Sequence, residues 1–214
     1  MNFTYRIAWL LARAFHYTYF HGRHYHAERV PLTGPVILAS NHASVLDPPV
    51  IGGGFNRIVN YLARKTLMEI PVFGAILRRL HVVPVDRDGS GGAGLKAILD
   101  RLLNGGIILL FPEGTRTTDG NLLPAKSGVG LTVIKSTAPV VPVRVRGTFA
   151  AFGRHMKIPM PRRVTVVYGE PMEFTALREE AKTCSKPRLK EIYQQTADEI
   201  MAAISTLDEP SRRG

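Results

Sequence analysis

Two short, uninterrupted apolar runs, each followed at once by polar residues, most constrain how this chain can fold. Val36–Ser40 and Gly106–Phe111 have the length and composition of buried strands. Further strand-like segments and helical patterns alternate with them along the chain, at residues 95–103, 140–145, 163–168 and 187–207. This alternation predicts an α/β fold, a single-domain αβ sandwich with a largely parallel mixed sheet flanked by helices.

The first run is followed by a histidine, His42, with a carboxylate, Asp47, five positions later. A five-residue step turns roughly 140° on a helix, so a turn must bring the two side chains together. Pro48 follows, and we therefore expect Asp47 on extended backbone. If they meet, Asp47 accepts the proton of one ring nitrogen and the other nitrogen can take a proton from a substrate hydroxyl. Taken alone, this permissive pattern also describes a surface histidine near a loop carboxylate.

The second run ends at Pro112, which places Glu113 to Arg116 on a loop. Ligands of open α/β sheets bind at the carboxyl ends of the strands, so the two polar clusters are expected to share one rim. Arg116 offers a planar fork of donors suited to phosphate, and Gly114 lets backbone N–H groups approach an anion. The alternative is a solvated turn.

Four segments resemble, in order, the four motifs of the 1-acyl-sn-glycerol-3-phosphate acyltransferase family. The first is Asn41–Asp47 and the third is Phe111–Arg116. The second motif is resembled by Lys65–Gly74 with Val82–Arg87, and the fourth by Val140–Val143. The match spans residues 36–147, and four motifs in the right order make it specific.

The resemblance implies an acyl transfer to a lipid. His42, oriented by Asp47, would deprotonate the free hydroxyl of a lysophosphatidic acid, which attacks the thioester of acyl-CoA or acyl-carrier protein to give phosphatidic acid. No covalent acyl-enzyme, metal or cofactor is implied. The residues implied to bind substrate are Arg87 and Arg116 at the phosphate, Glu113, Gly114 and Thr115 around the glycerol, and Lys126 at a phosphate or CoA. For Lys126 a solvated surface lysine is an equal alternative.

The acceptor stays open at this point, because the motifs do not separate lyso-lipids well. One alternative is another acceptor, such as a lyso-ornithine lipid, or transfer between lipids without a thioester. The other is a non-catalytic membrane-binding relative, against which the intact His42, Asp47, Glu113 and Arg116 argue.

The charge of the chain indicates an anionic partner. Its 28 Lys and Arg exceed its 17 Asp and Glu by 11, and the pI is about 10.2. Membrane lipid, nucleic acid and an acidic cofactor would all fit such a charge. Because no zinc-type Cys/His spacing, recognition helix or aromatic RNA-binding motif is visible, we expect no nucleic acid, and a phospholipid surface and CoA as the anionic partners.

The first 25 residues favour attachment to a membrane surface. Apolar residues recur at helical spacing, interrupted by Arg6 and Arg13, and interfacial aromatics accompany them: Trp9, Phe15, Tyr19 and Phe20. The alternative is an amphipathic helix packed on the protein's own core. No run approaches 18 apolar residues, so we expect a peripheral protein on the cytoplasmic face of the inner or cell membrane. The predicted organisation is an interface helix over 1–25, an acyltransferase domain over 26–207 and a basic tail over 208–214.

Two other patterns in the sequence resemble binding sites. His16, His21, His24 and His26 cluster, but their spacing matches no usual metal-ligand pair, so we expect surface histidines and no metal site. Residues 89–94 match the glycine pattern of dinucleotide-binding loops, but the residue about 20 positions on is Glu113 of the Glu113–Arg116 loop, whereas such a site has a carboxylate that closes the second strand. A flexible loop is expected there, with contact to the phosphates of CoA as the alternative.

Overall fold

The computed structural model describes residues 2–85 and 92–210. Its strands are β1 Arg23–Tyr25, β2 Val36–Ser40, β3 Val59–Asn60, β4 Leu62–Arg64, β5 Val83–Val85, β6 Ile107–Leu110, β7 Val140–Arg146 and β8 Thr165–Tyr168. Its helices are α1 Phe3–Thr18, α2 Asp47–Gly52, α3 Lys65–Met68, α4 Phe73–Arg79, α5 Gly92–Leu103, α6 Ser127–Lys135, α7 Thr148–Phe152, α8 Thr175–Thr183 and α9 Lys186–Thr206. The two apolar runs are strands, as predicted.

Six strands form one sheet in the order β1-β8-β7-β2-β6-β3, and β4 pairs with β5 in a second, parallel pair. Every pairing in the large sheet is parallel except that of β7 with β8. The predicted α/β architecture with a largely parallel mixed sheet is confirmed. Because β8 runs opposite to β7, the segment between them lies at the carboxyl rim of the parallel strands β2, β6 and β7.

Strand β2 shows why the sheet needs a layer on each face. All five of its residues are buried, and successive side chains of a strand point to opposite faces. Leu38 packs in the core on one side with Phe20, Ile51 and Tyr168, while Ile37 lies on the other side among residues of α5, α6 and α9. The continuous apolar run in the sequence therefore reflects two hydrophobic cores that share one sheet.

Helix α1 is present where the sequence predicts an N-terminal amphipathic helix. The Asn2 side chain caps it by accepting from the backbone N–H of Tyr5 at 2.8 Å. The helix ends at Thr18, and β1 already belongs to the large sheet. Phe20, predicted to lie at a membrane interface, is wholly buried in the core, so that assignment is wrong. None of the helices in residues 2–85 and 92–210 is long and apolar enough to span a membrane.

The predicted tail over 208–214 is described only in part. Residues 211–214, which include two of its arginines, lie outside the described residues. Asp208 and Glu209 are described, and they form ion pairs with Arg146 and Arg163. The first two residues of the tail are therefore tied to Arg146 of β7, to Arg163 just before β8 and to Thr165 at the start of β8.

Candidate active site

The two polar loops meet at the carboxyl rim of the sheet. Strands β2 and β6 are parallel neighbours, with Ala39 paired to Leu110, so the chain leaves both strands at the same edge. The Glu113 carboxylate accepts from the backbone N–H of His42 at 3.0 Å, and the backbone N–H of Thr117 donates to the His42 carbonyl at 2.9 Å. The shared rim predicted from the two apolar runs is therefore present.

His42 and Asp47 form a direct hydrogen bond, 2.8 Å from Nδ1 to Oδ2. The same carboxylate oxygen accepts from the backbone N–H groups of Ala43 at 2.7 Å and Ser44 at 2.8 Å. Asp47 has no exposed surface, and the His42 side chain is 18% exposed. Because a carboxylate oxygen can only accept, the Nδ1 of His42 carries a proton, which leaves Nε2 free to take another.

The backbone of Asp47 differs from the sequence-based expectation. Asp47 is the first residue of helix α2, with Pro48 in the helix's first turn, so the prediction of extended backbone is wrong. Proline is tolerated in the first turn because the N–H it lacks would have no partner inside the helix. The side chain of Asp47 meanwhile folds back onto the loop N–H groups that precede the helix. The turn that joins histidine and carboxylate is therefore a loop followed directly by a helix start.

A cavity of about 400 Å³ opens beside the histidine. Phe111 stacks on the His42 ring, with centroids 3.8 Å apart and planes 12° from parallel. The cavity is lined by the exposed residues Arg64, Gly114 and Lys126 and by the buried apolar side chains of Ile98, Leu109 and Val129. Such a cavity suits a ligand with a charged end and an aliphatic end.

The Glu113 side chain lies behind the rim rather than in the cavity. It is almost fully buried, and its second oxygen accepts from the backbone N–H of Leu123 at 3.3 Å. Burial raises the pKa of the Glu113 carboxyl, although the two N–H donors act in the opposite direction. The carboxylate thus joins the His42 loop to the loop that follows β6, which is a positioning contact.

The other predicted binding residues occupy different places on the rim. Gly114 has a φ of +67° and faces the Lys126 side chain, which would lie 3.0 Å from an added Cβ. Thr115 and Arg116 are partly exposed on the same loop and do not line the cavity. Arg87 lies outside the described residues. Lys126 and Gly114 are thus beside His42, and Arg116 lies further along the loop.

Arg64 is a cavity residue that the sequence analysis missed. It ends strand β4, and its exposed side chain lines the cavity that contains His42. The available signal was its position immediately before Lys65, at the start of the second motif. Phe111 was likewise named only as part of a motif, whereas its ring covers one face of the His42 imidazole.

A second, apolar cavity of about 300 Å³ adjoins the first and shares Pro48, Tyr61, Leu62 and Ala63 with it. Its other walls include Tyr5, Trp9 and Ala12 of α1 and Leu77 of α4. Helix α1 therefore lines a cavity that adjoins the one beside His42.

The face of α1 that points inward holds the far end of α2. The indole N–H of Trp9 donates to the carbonyl of Gly52 at 3.1 Å, and the Arg13 guanidinium donates to that of Gly53 at 2.9 Å. His24 Nε2 lies 2.9 Å from the Val50 carbonyl. The last carbonyls of a helix lack partners inside it, so these side chains satisfy the end of the helix whose first residue is Asp47.

The clustered histidines do not form the exposed group that the sequence predicted. His16 is 1% exposed and packs against His24, with ring centroids 4.6 Å apart. His16 follows the helical period of the inward face of α1, which explains its burial. The prediction of surface histidines is therefore wrong for His16. In the described part of the chain, no group of three or more His, Cys, Asp or Glu side chains could hold a metal ion.

Comparisons with known proteins agree with this geometry. A sequence model of the acyltransferase family matches residues 21–146. The chain is similar to the 1-acyl-sn-glycerol-3-phosphate acyltransferase of Bacillus subtilis, with 27% identity over 186 residues, 86% of this chain and 89% of that protein. It is 30% identical over 142 residues to the enzyme of the same name from Limnanthes douglasii, covering 64% of this chain and half of that longer protein.

The fold also has a solved counterpart. The crystal structure of the 1-acyl-sn-glycerophosphate acyltransferase of Thermotoga maritima superposes with a TM-score of 0.73, at 23% identity, over 96% of this chain and 81% of that one. That similarity shows the fold. Together with the family match, the mixed sheet and its His–Asp rim define a lipid-modifying acyltransferase domain. This chain belongs to the acyltransferase family, and the resemblance that its four motifs indicated is confirmed.

Proposed function

We propose that this enzyme transfers a fatty acyl chain from acyl-CoA or acyl-carrier protein to the free hydroxyl of 1-acyl-sn-glycerol-3-phosphate, which gives phosphatidic acid. The observation that carries the proposal is the hydrogen bond of 2.8 Å between His42 and Asp47 beside a cavity lined by exposed cations and buried apolar side chains. The name of the Bacillus relative, which aligns over 86% of this chain, supports this acceptor.

The reaction needs one group that takes a proton from the acceptor hydroxyl and later gives it to the leaving sulfur. The free Nε2 of His42 accepts the proton of the acceptor hydroxyl as its oxygen attacks the carbonyl carbon of the thioester. The C–S bond then breaks, and the protonated His42 gives the proton to the departing sulfur. Asp47 keeps the imidazole in the tautomer with a proton on Nδ1 and stabilises its positive charge in between. No covalent acyl-enzyme is needed, because the acceptor oxygen attacks the thioester directly.

The phosphate of the acceptor is assigned to the basic residues of the rim. Arg116, and Arg87 in the second motif, are the residues that the family resemblance implies. Arg64 and Lys126 add two cations at the cavity beside His42. Charged donors form the stronger hydrogen bonds to phosphate, so these side chains would hold the headgroup while its hydroxyl faces the histidine.

Helix α1 is proposed to attach the enzyme to the membrane that contains its acceptor. Its outward face exposes large apolar side chains: Phe3, Ile7, Leu10, Leu11, Phe15 and Tyr17. An isolated exposed apolar residue is ordinary, but a helical stripe of six is typical of an interface helix. The opposite face of α1 packs on the protein's own core, as the second alternative for this segment expects, and the exposed stripe supports the proposed membrane contact. The donors CoA and acyl-carrier protein would place the enzyme on the cytoplasmic face.

Purified full-length protein should be incubated with labelled acyl-CoA or acyl-carrier protein and a panel of acceptors: lysophosphatidic acid, other lysophospholipids and lyso-ornithine lipid. We expect the highest kcat/KM with lysophosphatidic acid and its loss in His42→Ala. His26→Ala is the matched control, because His26 follows β1 at the opposite edge of the sheet. Preference for another acceptor would change the substrate assignment, and unchanged activity of His42→Ala would reject the base.

A further inference from the structure

Residues 153–163, in the connection between α7 and β8, combine positive charge with exposed apolar side chains. They include four Lys or Arg residues and no Asp or Glu. Ile158 is 72% exposed and Met160 is 45% exposed, and they flank Pro159. Arg154, Lys157 and Arg162 are exposed, and none of the three forms an ion pair with a residue the structure describes. We call this segment the rim loop.

The topology of the sheet places the rim loop beside the active site. Strand β8 is antiparallel to β7, with Arg146 paired to Thr165, so the connection between them stays at the carboxyl rim where His42 lies. The Ser44 hydroxyl, in the His42 loop, donates to the Phe152 carbonyl at 2.6 Å. The Arg154 guanidinium donates to the Arg116 carbonyl at 3.3 Å. Both active-site loops therefore contact the rim loop or the residue that precedes it.

The rim loop also continues the exposed face of α1. The Tyr19 hydroxyl donates to the Pro159 carbonyl at 2.9 Å, and the Tyr19 ring stacks on Phe15 with centroids 4.7 Å apart. Phe15 is 41% exposed on the outward stripe of α1. A path of adjoining residues thus runs from the apolar stripe of α1, through Tyr19, to Ile158 and Met160, and on to Arg154 beside the Arg116 loop.

We propose that the rim loop is a second membrane-contact site, which docks on an anionic phospholipid surface together with α1. Ile158 and Met160 enter the interfacial layer, and Lys157 and Arg162 contact lipid headgroups. The occupant follows from charge complementarity, because three exposed cations without an ion-pair partner in the described chain are attracted to anionic lipid. The occupant also follows from continuity with α1, because the rim loop adjoins the exposed stripe that is proposed to contact the membrane. Two contact points together set the orientation of the rim relative to the bilayer. The inference rests on the proposed function, in which the acceptor comes from the membrane.

A fluorescent probe tests where the loop lies. Cys184 is the only cysteine, so Cys184→Ser/Ile158→Cys carries one environment-sensitive label on the rim loop. Leu32 is 85% exposed before β2, at the amino edge of the sheet, and Cys184→Ser/Leu32→Cys is the matched control. With vesicles of phosphatidylcholine and phosphatidylglycerol we expect a blue shift for the label at 158 and none for the label at 32. Equal responses of the two labels overturn the proposal.

Charge variants test the anionic partner. Each basic residue near such a surface contributes about a factor of five in binding, so Lys157→Gln/Arg162→Gln should weaken vesicle binding roughly 25-fold. Lys186→Gln/Lys190→Gln on α9 should bind like the wild type. On vesicles of phosphatidylcholine alone, the rim-loop variant and the wild type should bind alike. An unchanged affinity of the rim-loop variant for anionic vesicles contradicts the inference.

A kinetic comparison separates this inference from the proposed function. With a short-chain, water-soluble lyso-acceptor, Lys157→Gln/Arg162→Gln should keep wild-type kcat and KM, because these residues lie outside the cavity. With an acceptor embedded in anionic vesicles, the same double variant should show a higher apparent KM for that acceptor than the wild type does. If the wild type acylates neither acceptor, the proposed function fails whatever the vesicle binding shows. If the wild type is active and Lys157→Gln/Arg162→Gln keeps the wild-type KM for the acceptor in vesicles, only the rim-loop contact is rejected.

Discussion

The indole N–H of Trp9 donates to the carbonyl oxygen of Gly52 at 3.1 Å, which joins helix α1 to the end of helix α2. Asp47, the partner of His42, is the first residue of α2, and the helix is six residues long. A helix this short holds few hydrogen bonds of its own, so donors from outside contribute much of its stability. The proposed membrane helix and the proposed catalytic pair are thus connected through one short helix.

Replacing Trp9 by Phe should lower the free energy of unfolding by at least about 1 kcal/mol, because the smaller aromatic ring keeps part of the packing and loses the hydrogen bond to the Gly52 carbonyl. Urea denaturation monitored by circular dichroism would measure it. Phe3→Leu, at an exposed position of the same helix, serves as the control and should unfold like the wild type. A Trp9→Phe protein as stable as the wild type would mean that the Gly52 carbonyl finds another donor.

Asp47→Asn should reduce kcat about 10²–10⁴-fold, the usual contribution of a positioned base, because the charge that steadies the His42 imidazolium is lost. The asparagine oxygen can still accept from the loop N–H groups, so a gross loss of fold is not expected. Steady-state kinetics on folded protein would show it, with Asp198→Asn on the exposed face of α9 as the control. A kcat within twofold of the wild type would remove Asp47 from the mechanism.

The basic residues of the rim should differ in which substrate they bind. Arg116→Ala should raise KM for the phosphate-bearing acceptor about 10–100-fold, the contribution of a hydrogen bond to a charged group, and leave KM for the thioester unchanged. Arg64→Ala tests a cation of the cavity in the same assay, and an equal rise would place both cations at the phosphate. Arg101→Ala, exposed on α5, is the control. A rise in KM for the donor alone would reverse the assignment of Arg116.

The outward face of α1 should control binding to vesicles. Deleting residues 1–20 would also remove buried Tyr5 and Phe20 from the core, so substitutions on the exposed stripe are the better test. Ile7→Ser/Leu11→Ser should weaken binding by about tenfold per side chain, since each loses apolar burial in the interface. Sedimentation with vesicles would measure it, and Leu32→Ser/Leu103→Ser, at two exposed leucines, is the control. Equal pelleting of both double variants would contradict the role of α1.

His16 should make the fold sensitive to mild acid. Burial, with the nearby charges of His24 and Arg13, lowers the pKa of His16 to about 4, against about 6.5 in the unfolded chain. Below pH 6.5 the unfolded state binds a proton at His16 that the folded state does not. The contribution of neutral His16 to the free energy of unfolding is therefore fully present above pH 6.5 and is lost as the pH falls towards 4. The loss should reach about 3 kcal/mol.

Urea unfolding of His16→Phe at pH 7 and pH 4.5 tests this. The variant should lose much less stability between the two values than the wild type does. Some loss should remain, because burial also lowers the pKa of His24. An equal loss in both proteins would show that His16 does not titrate between the folded and unfolded states.

The sequence by itself determined the two central strands, the family and the two polar loops that follow those strands. Val36–Ser40 and Ile107–Leu110 are apolar at every position, and such runs depend on local composition, which a sequence shows directly. The place of His42 at the end of β2 followed from the same reasoning. Periodicity likewise revealed the helix at residues 3–18, because a helical repeat is a local property.

Only the tertiary structure decided how distant residues meet. The apolar period of α1 cannot tell which face packs on the core, and Trp9, Arg13 and His16 proved to face inward because α2 and β1 supply their partners. The Glu113 side chain reaches the backbone of a residue 71 positions earlier, and its burial depends on both loops being in place. The rim loop lies beside the active site because β8 reverses direction against β7, and strand direction is set by packing across the whole sheet rather than by any local pattern.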